Sequence, residues 1–164
     1  MDTGSKREEI ESQTDLKVRL VQDADLTRVI ELDALVTGVA KDTYWHELYA
    51  RHRQRSEGEE FFFVAEGVGA LESTLLGYVI GEVRAWEFGS EPCGWLFALA
   101  VRPDARQMGV GEQLMTTLSD AFRNVDVTTM RTMISRDNHL FMSFFRSEGM
   151  MAGPYIQLEK DLKP

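Results

Sequence analysis

The chain has 164 residues, a length that suits one domain with its own hydrophobic core. Hydrophobic residues make up 43% of the chain and charged residues 27%, which is typical of a globular protein rather than a disordered one. The net charge of −9 argues against sequence-independent nucleic-acid binding, which needs clustered Lys and Arg. Since no apolar run approaches the ~18 residues of a membrane span, we expect a cytoplasmic protein that binds neither nucleic acid nor membrane.

The single cysteine, Cys93, can form no internal disulfide. With only 3 histidines the chain also has few ligands for a zinc site, and we expect no metal. A catalytic pair of Cys93 with a histidine stays open as an alternative, although Cys93 lies in a Pro/Gly turn without an activating signature.

The elements are predicted from the spacing of the apolar residues. Residues 1–14 are polar and predict a disordered tail, and residues 15–164 form the predicted domain. In chain order we expect strand 15–22, helices 23–36 and 42–55, strands 60–66, 76–86 and 95–101, helix 109–123, strand 128–134, helix 138–149 and strand 155–162. This order, β-α-α-β-β-β-α-β-α-β, predicts an α/β (α+β) fold with a mixed sheet and helices on both faces.

The segment VRPDARQMGVGEQL, at 101–114, places two glycines where a buried strand gives way to a helix. A helix start after a glycine-containing loop presents backbone N–H groups and the positive end of the helix dipole to an anion. No Gly-Lys-Ser/Thr follows, which excludes a P-loop, and Leu114 stands where the dinucleotide fingerprint needs Gly or Ala. The glycines therefore indicate either an ordinary turn or a cradle for some other phosphorylated ligand.

The wider segment 99–115 resembles the signature of the GNAT acetyltransferases, in which an apolar strand, V-x-P, R/Q-x-x-G-x-G/A and a helix follow one another. The matching residues here are Val101, Pro103, Arg106, Gly109 and Gly111. A second family element follows, an Asn after the next strand and a helix that ends in an aromatic pair and E-G-M. The predicted order also agrees, so the resemblance covers residues 15–162 and is slightly greater to bacterial and archaeal protein N-terminal acetyltransferases.

The resemblance implies that acetyl-CoA is the co-substrate and that backbone amides of the loop and helix start bind its pyrophosphate. In this sequence those amides belong to Arg106, Gln107, Met108, Gly109, Val110 and Gly111. It also implies that the main chain of Leu99 and Val101 binds the pantetheine arm, with the Leu99 N–H as an oxyanion donor to the thioester carbonyl. Asn138 corresponds to an asparagine that contacts the pantetheine or splays two strands, and it is equally a helix N-cap.

The proton donor for the leaving thiolate is a tyrosine in many relatives. The matching coenzyme-side position here is Phe145, which carries no proton. Tyr155, Ser143 and water are the alternatives, and loss of a general acid slows such a reaction by ~10²–10⁴ rather than abolishing it.

The general base is also not fixed by the resemblance. Histone-type relatives place a glutamate on the strand before the phosphate loop, and Trp95 stands at that position here. The alternatives are Glu82 on the neighbouring strand, His139 and a chain of water molecules. For Glu82, a solvent-facing residue paired with Arg84 is the competing interpretation.

The acceptor side of the family lies between the first two helices and in the last strands. This implies a site lined by Tyr44, Trp45, Trp86 and Tyr155, although aromatic residues at helical spacing are also typical of a core. The basic run 51–55 either contacts the 3′-phosphate of the coenzyme or an acidic partner, or forms a solvated helix face.

The predicted activity is transfer of an acetyl group to a primary amine by direct attack in a ternary complex. The amine belongs to a protein N-terminus, a lysine or a small molecule, and the resemblance also suggests a homodimer. The alternative is a non-catalytic acyl-CoA-binding or sensor module, which Phe145 and the missing strand glutamate would suit.

Overall fold

The computed structural model describes residues 16–71 and 73–164, and a five-stranded mixed sheet runs through its centre. The strands are β1 (Leu16–Leu20), β2 (Glu60–Gly67), β3 (Leu75–Arg84), β4 (Cys93–Val101) and β5 (Met130–Arg131), in that spatial order. The helices are α1 (Leu26–Thr37), α2 (Asp42–His52), α3 (Val110–Arg123) and α4 (His139–Ser147). Neighbouring strands are antiparallel except β4 and β5, which are parallel.

Two hydrophobic clusters cover the two faces of the sheet. Successive residues of a strand point to opposite faces, so Ile80 of β3 packs under α1 and α2 while Val79 packs under α3. The stripe predicted on α3 from its helical spacing is buried, which confirms that part of the prediction; its members are Val110, Leu114, Leu118 and Phe122.

Glycines in the strands let α3 lie close to the sheet. A Cβ atom at Gly94 would come within 2.5 Å of the Phe122 ring, and one at Gly81 within 2.8 Å. The aromatic ring of Phe122 therefore fills the space that side chains at these two positions would take.

A buried ion network fixes the start of α1 to the sheet. Asp25 is buried and accepts hydrogen bonds from Arg19 of β1 at 2.7 and 3.0 Å, from the Gln22 backbone at 2.7 Å and from Arg28. Arg19 also donates to both carboxylate oxygens of Glu66 in β2, at 3.0 and 2.9 Å. Because this network joins the start of α1 to β1 and β2, it helps to set the distance of α1 from the sheet.

The network also changes the ionisation of its carboxylates. Burial by itself raises the pKa of Asp25, but the hydrogen bonds from Arg19 and Gln22 and the charges of Arg19 and Arg28 outweigh it, and the pKa lies below its ordinary value. The hydrogen bond from Arg19 likewise lowers the pKa of Glu66. The stability that these groups contribute is therefore complete above about pH 4, the ordinary pKa range of carboxyl side chains, and is lost as the pH falls further.

The predicted fold class is confirmed, with helices on both faces of a mixed sheet and the predicted order of elements as far as α4. The strand predicted over 128–134 is reduced to two residues, and the helix predicted to reach 55 ends at His52. The final strand predicted over 155–162 is wrong: this segment is exposed and pairs with no strand among the described residues. The predicted tail at 1–14 lies outside the described residues, and among those that are described no helix is long and apolar enough to cross a membrane.

Replacing Arg19 by methionine tests the ion network. We expect Arg19→Met to lower the free energy of unfolding at pH 7 by about 3 kcal/mol, the lower end of the range for breaking a buried ion pair, because Arg28 stays bound to Asp25. The measurement is chemical denaturation of the variant and the wild type between pH 7 and pH 3. The difference between them shrinks below about pH 4, where the carboxylates take up protons.

Arg123→Met is the matched control, because Arg123 makes a 2.6 Å ion pair with Asp120 on the surface. Exposed ion pairs contribute about 1 kcal/mol or less. Equal losses of stability in the two variants would contradict the role given to the buried network.

Candidate functional site

The parallel pairing of β4 with β5 stops soon after it begins. The strands pair at Gly94 with Met130 and at Trp95 with Arg131, and Thr132 Oγ1 then donates to the Leu96 carbonyl at 2.8 Å. On its other side β4 stays paired with β3 as far as Val101. The two strands therefore separate halfway along β4, and its second half has a free edge within the described part of the sheet.

A bulge lies at the point where β4 and β5 separate. Ile80 and Gly81 of β3 pair with Ala98 and Leu96 of β4, which leaves Phe97 without a partner in β3. A bulge of this kind bends the strand and increases its local twist. The bend coincides with the separation of β4 from β5.

The free edge of β4 presents the backbone groups of Leu99 and Val101. The N–H of Arg102 donates to the Leu76 carbonyl of β3 at 2.8 Å, so even-numbered residues of this stretch direct their backbone groups to β3. Successive residues of a strand direct these groups to opposite sides. Leu99 and Val101 therefore direct theirs to the free edge, where the sequence predicts that the pantetheine arm binds.

The loop between β4 and α3 is built around two residues with left-handed backbone conformation. Gln107 has φ of 70° and Gly109 has φ of 77°. A non-glycine residue at positive φ stores strain, a feature that is concentrated at functional sites. The first N–H groups of α3 have no partner within the helix, so this loop and helix start can bind an anion through the backbone. A pyrophosphate fits these donors, with the exposed Arg106 beside them.

The two glycines of the motif have different structural roles. A Cβ atom at Gly109 would meet nothing within 4 Å, so its backbone conformation is what favours glycine there. A Cβ atom at Gly111 would come within 3.0 Å of the Phe144 ring, so this glycine allows α3 and α4 to approach. Gly109 leaves open space beside the helix start, and Gly111 brings α4 against it.

A cleft of about 370 Å³ opens between the separated strands. It reaches from the free edge of β4 to the helices on the α1 and α2 face of the sheet. Its lining consists of Asp33, Lys41, Tyr44, Trp45, Tyr78, Leu96, Phe97, Ala98, Leu99, Thr132, Met133, Ile134, Ser135, Asn138, Phe141 and Phe145. The cleft thus connects the backbone groups predicted to bind the pantetheine with a second, more polar end.

A buried carboxylate, Asp33 of α1, marks that second end and is 3% exposed. It accepts hydrogen bonds from Trp45 Nε1 at 2.9 Å and from the Tyr78 hydroxyl at 3.1 Å, and Lys41 Nζ lies 2.8 Å from its Oδ2. Burial and the neighbouring Asp33 charge raise the pKa of Tyr78, so its hydroxyl keeps its proton at neutral pH. A carboxylate has about four acceptor positions, and these contacts fill three of them. These contacts leave one position on Oδ1 unfilled, and Asp33 belongs to the lining of the cleft.

Three of the residues predicted to bind the coenzyme lie together in the cleft lining, and their contact with a coenzyme stays a prediction. Leu99, Asn138 and Phe145 all line the cleft, and Phe145 is buried against Phe141, with the two rings stacked at 5.7 Å. The Asn138 side chain accepts the Phe141 N–H at 3.1 Å, which makes it the N-cap of α4. A contact between Asn138 and the coenzyme stays a prediction.

The predicted acceptor residues divide into two groups. Tyr44 and Trp45 of α2 line the cleft, and Trp45 also packs in the core between the two helices and the sheet. Trp86 is 68% exposed in the turn after β3, and Tyr155 is 59% exposed with its ring 4.7 Å from the Arg131 guanidinium. Neither of these two belongs to the cleft lining.

The candidates for proton transfer lie outside the cleft. Glu82 forms ion pairs at 2.9 Å with Arg55 and with Arg84. Its role as a general base stays a prediction. Ser143 and His139 are exposed on α4. Among the described residues, no group of His, Cys, Asp and Glu side chains is arranged to hold a metal ion.

Sequence reasoning missed Asp33, Lys41 and Tyr78. One signal for Asp33 was available, because it stands four residues after Val29 and three after Ile30, both of which are buried. A charged residue in the apolar stripe of a helix needs a partner or a function. The partners come from α2 and β3, far apart in the sequence, so the signal did not identify them.

Comparison with known proteins gives the family. The family model described as "Acetyltransferase (GNAT) family" matches residues 26–150. No curated protein sequence matches this chain significantly.

Solved structures share the fold. AAC(6')-Iy in complex with the bisubstrate analogue CoA-S-monomethyl-acetylneamine has a TM-score of 0.76 and 18% identity, over 90% of this chain and 98% of that one. The aminoglycoside 6'-N-acetyltransferase AAC(6')-Ih of Acinetobacter baumannii has a TM-score of 0.73 and 13% identity, over 91% and 100%. An acetyltransferase of Trypanosoma brucei has a TM-score of 0.69 and 18% identity, over 90% and 100%.

Sequence identities this low establish a common fold only. The assignment to a family comes from the family model, which matches most of the chain. The finer similarity to protein N-terminal acetyltransferases stays a prediction. The family predicted from the two motifs is confirmed: the chain belongs to the acetyltransferase (GNAT) family and is an N-acetyltransferase with acetyl-CoA as its co-substrate.

Proposed function

We propose that this protein acetylates a cationic primary amine, which enters the cleft from the α1 and α2 side and meets the thioester at Leu99. The observation that carries the proposal is that one cleft joins the free edge of β4 to the buried carboxylate of Asp33. A thioester and an amine can therefore approach each other from opposite ends of the same space.

The coenzyme half of the site rests on backbone groups. The N–H groups at the start of α3 and in the loop around Gly109 receive the pyrophosphate, and Arg106 adds positive charge. The groups of Leu99 and Val101 receive the pantetheine arm as an additional strand-like partner. When bound, acetyl-CoA supplies the activated acetyl group.

The acceptor half of the site is selective for charge. Asp33 lines the cleft with one Oδ1 acceptor position unfilled, and Tyr44 and Trp45 line the same space. An ammonium group gains a hydrogen bond to the carboxylate there, whereas a carboxylate on the acceptor would lie beside the Asp33 charge and compete with it for Lys41. Aminoglycosides, for which several similar structures are named, are one class of polycationic acceptor to test, beside peptide N-termini and lysine side chains.

The reaction forms one bond and breaks another at the thioester carbon. The acceptor binds as an ammonium and must lose a proton to water at the cleft mouth, because only the neutral nitrogen has a free electron pair. That nitrogen attacks the carbonyl, the Leu99 N–H stabilises the oxyanion, and the C–S bond then breaks. The new C–N bond leaves the nitrogen with one proton too many for an amide, and this second proton is also released to water. Phe145 cannot protonate the leaving thiolate, so the coenzyme thiolate takes its proton from water.

Thiol release from acetyl-CoA tests the proposal directly. The purified protein is assayed with an aminoglycoside, a simple alkylamine, a peptide with a free N-terminus, a lysine peptide, and an acceptor whose amine lies next to a carboxylate. We expect turnover with one or more of the cationic amines and at least tenfold lower kcat/KM for the acceptor that carries a carboxylate. Equal use of that acceptor would contradict the role of Asp33.

Replacing Gly109 by tryptophan tests the coenzyme half. The variant places a large side chain in the open space beside the α3 start, at a positive φ. For the wild type, coenzyme A at 100 times its Kd gives a stabilisation of about 2.7 kcal/mol, visible as a thermal shift. We expect the variant to lose this shift.

Gly89→Trp is the control for the loss of stability caused by placing tryptophan at a positive φ. Gly89 has φ of 76° and open space around it, but it lies in the turn after β3, away from the cleft. We expect this variant to lose some stability and to keep the full shift with coenzyme A. If Gly109→Trp bound coenzyme A as well as Gly89→Trp, the proposed pyrophosphate site would be wrong.

Replacing Asp33 by asparagine tests the acceptor half. The change keeps the size of the side chain and removes its charge, so we expect kcat/KM for a cationic amine to fall at least tenfold, the effect of about 1.4 kcal/mol of lost interaction. Coenzyme A binding, measured by calorimetry, stays within about twofold because the coenzyme binds at the other end of the cleft. Asp120→Asn on the exposed face of α3 serves as the matched control, with unchanged kinetics.

A further inference from the structure

One row of side chains crosses the α1 and α2 face of the sheet near the end of α2. The strand register aligns Glu82 of β3 with Trp95 of β4, and Trp95 with Arg131 of β5. Gly94 and Met130, which precede Trp95 and Arg131, face the α3 side of the sheet. Since successive residues of a strand point to opposite faces, Trp95 and Arg131 point to the α1 and α2 side.

Arg131 differs from the other arginines of this row in the partners that it has. Arg55 and Arg84 each form an ion pair with Glu82 at 2.9 Å. Within the described part of the chain, Arg131 forms neither an ion pair nor a side-chain hydrogen bond. The half-buried Arg131 instead places its guanidinium 4.7 Å from the centre of the Tyr155 ring. Because the five N–H donors of an arginine favour the oxygens of a carboxylate, Arg131 is suited to bind an anionic group.

Arg131 lies beside the acceptor half of the cleft. Thr132, the next residue, lines the cleft, and its Oγ1 donates to the Leu96 carbonyl at 2.8 Å. Tyr78, which holds the Asp33 carboxylate, packs on the same face of the sheet as the one to which Arg131 points. The part of an acceptor that projects from the cleft towards the start of β5 therefore passes Arg131.

The strand register also gives the distance between this arginine and the reacting carbon. Leu99, whose N–H is predicted to bind the thioester carbonyl, is aligned with Val79 of β3. Arg131 is aligned, through Trp95, with Glu82 of the same strand. These two positions of β3 are three residues apart, which corresponds to about 10 Å along the strand. An extended peptide covers about 10 Å in about three residues.

We infer that Arg131 binds a carboxylate of the acceptor about 10 Å from the amine that is acetylated. The acceptor then carries its two charges apart, with the ammonium at Asp33 and the carboxylate at Arg131, where the Tyr155 ring holds the guanidinium in place. The inference rests on the proposed function, which puts the amine in the cleft. The carboxylate belongs either to an acidic residue near the third position of a peptide or to a small amino acid of the same span. A carboxylate next to the amine is too close to it to reach Arg131.

Binding of matched peptides in the presence of saturating coenzyme A tests the inference without turnover. The peptides share one length and a free N-terminus, and they carry a glutamate at the third position, a glutamine there, or the glutamate at the seventh position. We expect calorimetry to show at least tenfold tighter binding of the first peptide than of the other two, because only its carboxylate reaches Arg131. A linear amino acid of the same span and its amide form the small-molecule arm, and the tighter-binding of the two carboxylates identifies the source.

Replacing Arg131 by glutamine assigns the preference to this side chain. We expect Arg131→Gln to bind the glutamate and glutamine peptides within about twofold of each other and to keep the full thermal shift with coenzyme A. Arg84→Gln is the matched control, because Arg84 lies in the same row and already has Glu82 as its partner. We expect this control to keep the preference for the carboxylate.

Two kinds of result would overturn the inference. One is that neither carboxylate-bearing acceptor binds better than its neutral counterpart, and the other is a preference that survives in Arg131→Gln. Neither result would affect the proposed function, which fails instead when no amine of the panel is acetylated.

Discussion

The early end of the pairing between β4 and β5 is the constraint on which the rest of the site depends. A parallel pair that continued along β4 would consume the backbone groups of Leu99 and Val101 and would close the cleft. Because the pair ends at Trp95 and Arg131, the second half of β4 keeps its hydrogen-bonding capacity in the middle of a stable sheet. The pairing with β3 holds the other side of this edge in register.

The same separation gives the cleft two chemically different ends. Towards α3 and α4 the site offers backbone N–H groups, which suit a phosphate and a thioester oxygen. Towards α1 and α2 it offers the buried carboxylate of Asp33, held by Trp45, Tyr78 and Lys41. A buried carboxylate is costly unless it is paired, so these partners stabilise the charge at the end of the cleft where we propose that the acceptor binds. In the proposed function, the anionic coenzyme and the cationic amine therefore bind at opposite ends of the cleft before they react.

Much of the coenzyme half could be predicted from sequence because its features are local. The motif around Gly109, the apolar stripe of α3 and the Asn138 cap each lie within a few residues of chain. The acceptor half could not be predicted in this way, since the partners that hold the Asp33 carboxylate, Trp45 of α2 and Tyr78 of β3, are distant in sequence. Glu82 was a reasonable candidate by strand position, but its side chain meets Arg55, which only the tertiary structure brings close.

The final strand shows a different limit of sequence reasoning. Alternation over 155–162 correctly describes a segment with one apolar face, yet alternation says nothing about which strand it pairs with. Within the described chain it pairs with none.

Backbone amide exchange followed by NMR, with and without acetyl-CoA and with no acceptor amine present, tests the central claim most directly. Leu99 and Val101 direct their N–H groups to the free edge of β4, whereas Ala100, between them, directs its own to β3. We predict that saturating acetyl-CoA slows exchange at Leu99 and Val101 at least tenfold and changes Ala100 far less. Binding of the coenzyme with unchanged exchange at Leu99 and Val101 would contradict the account, because the pantetheine would then lie elsewhere.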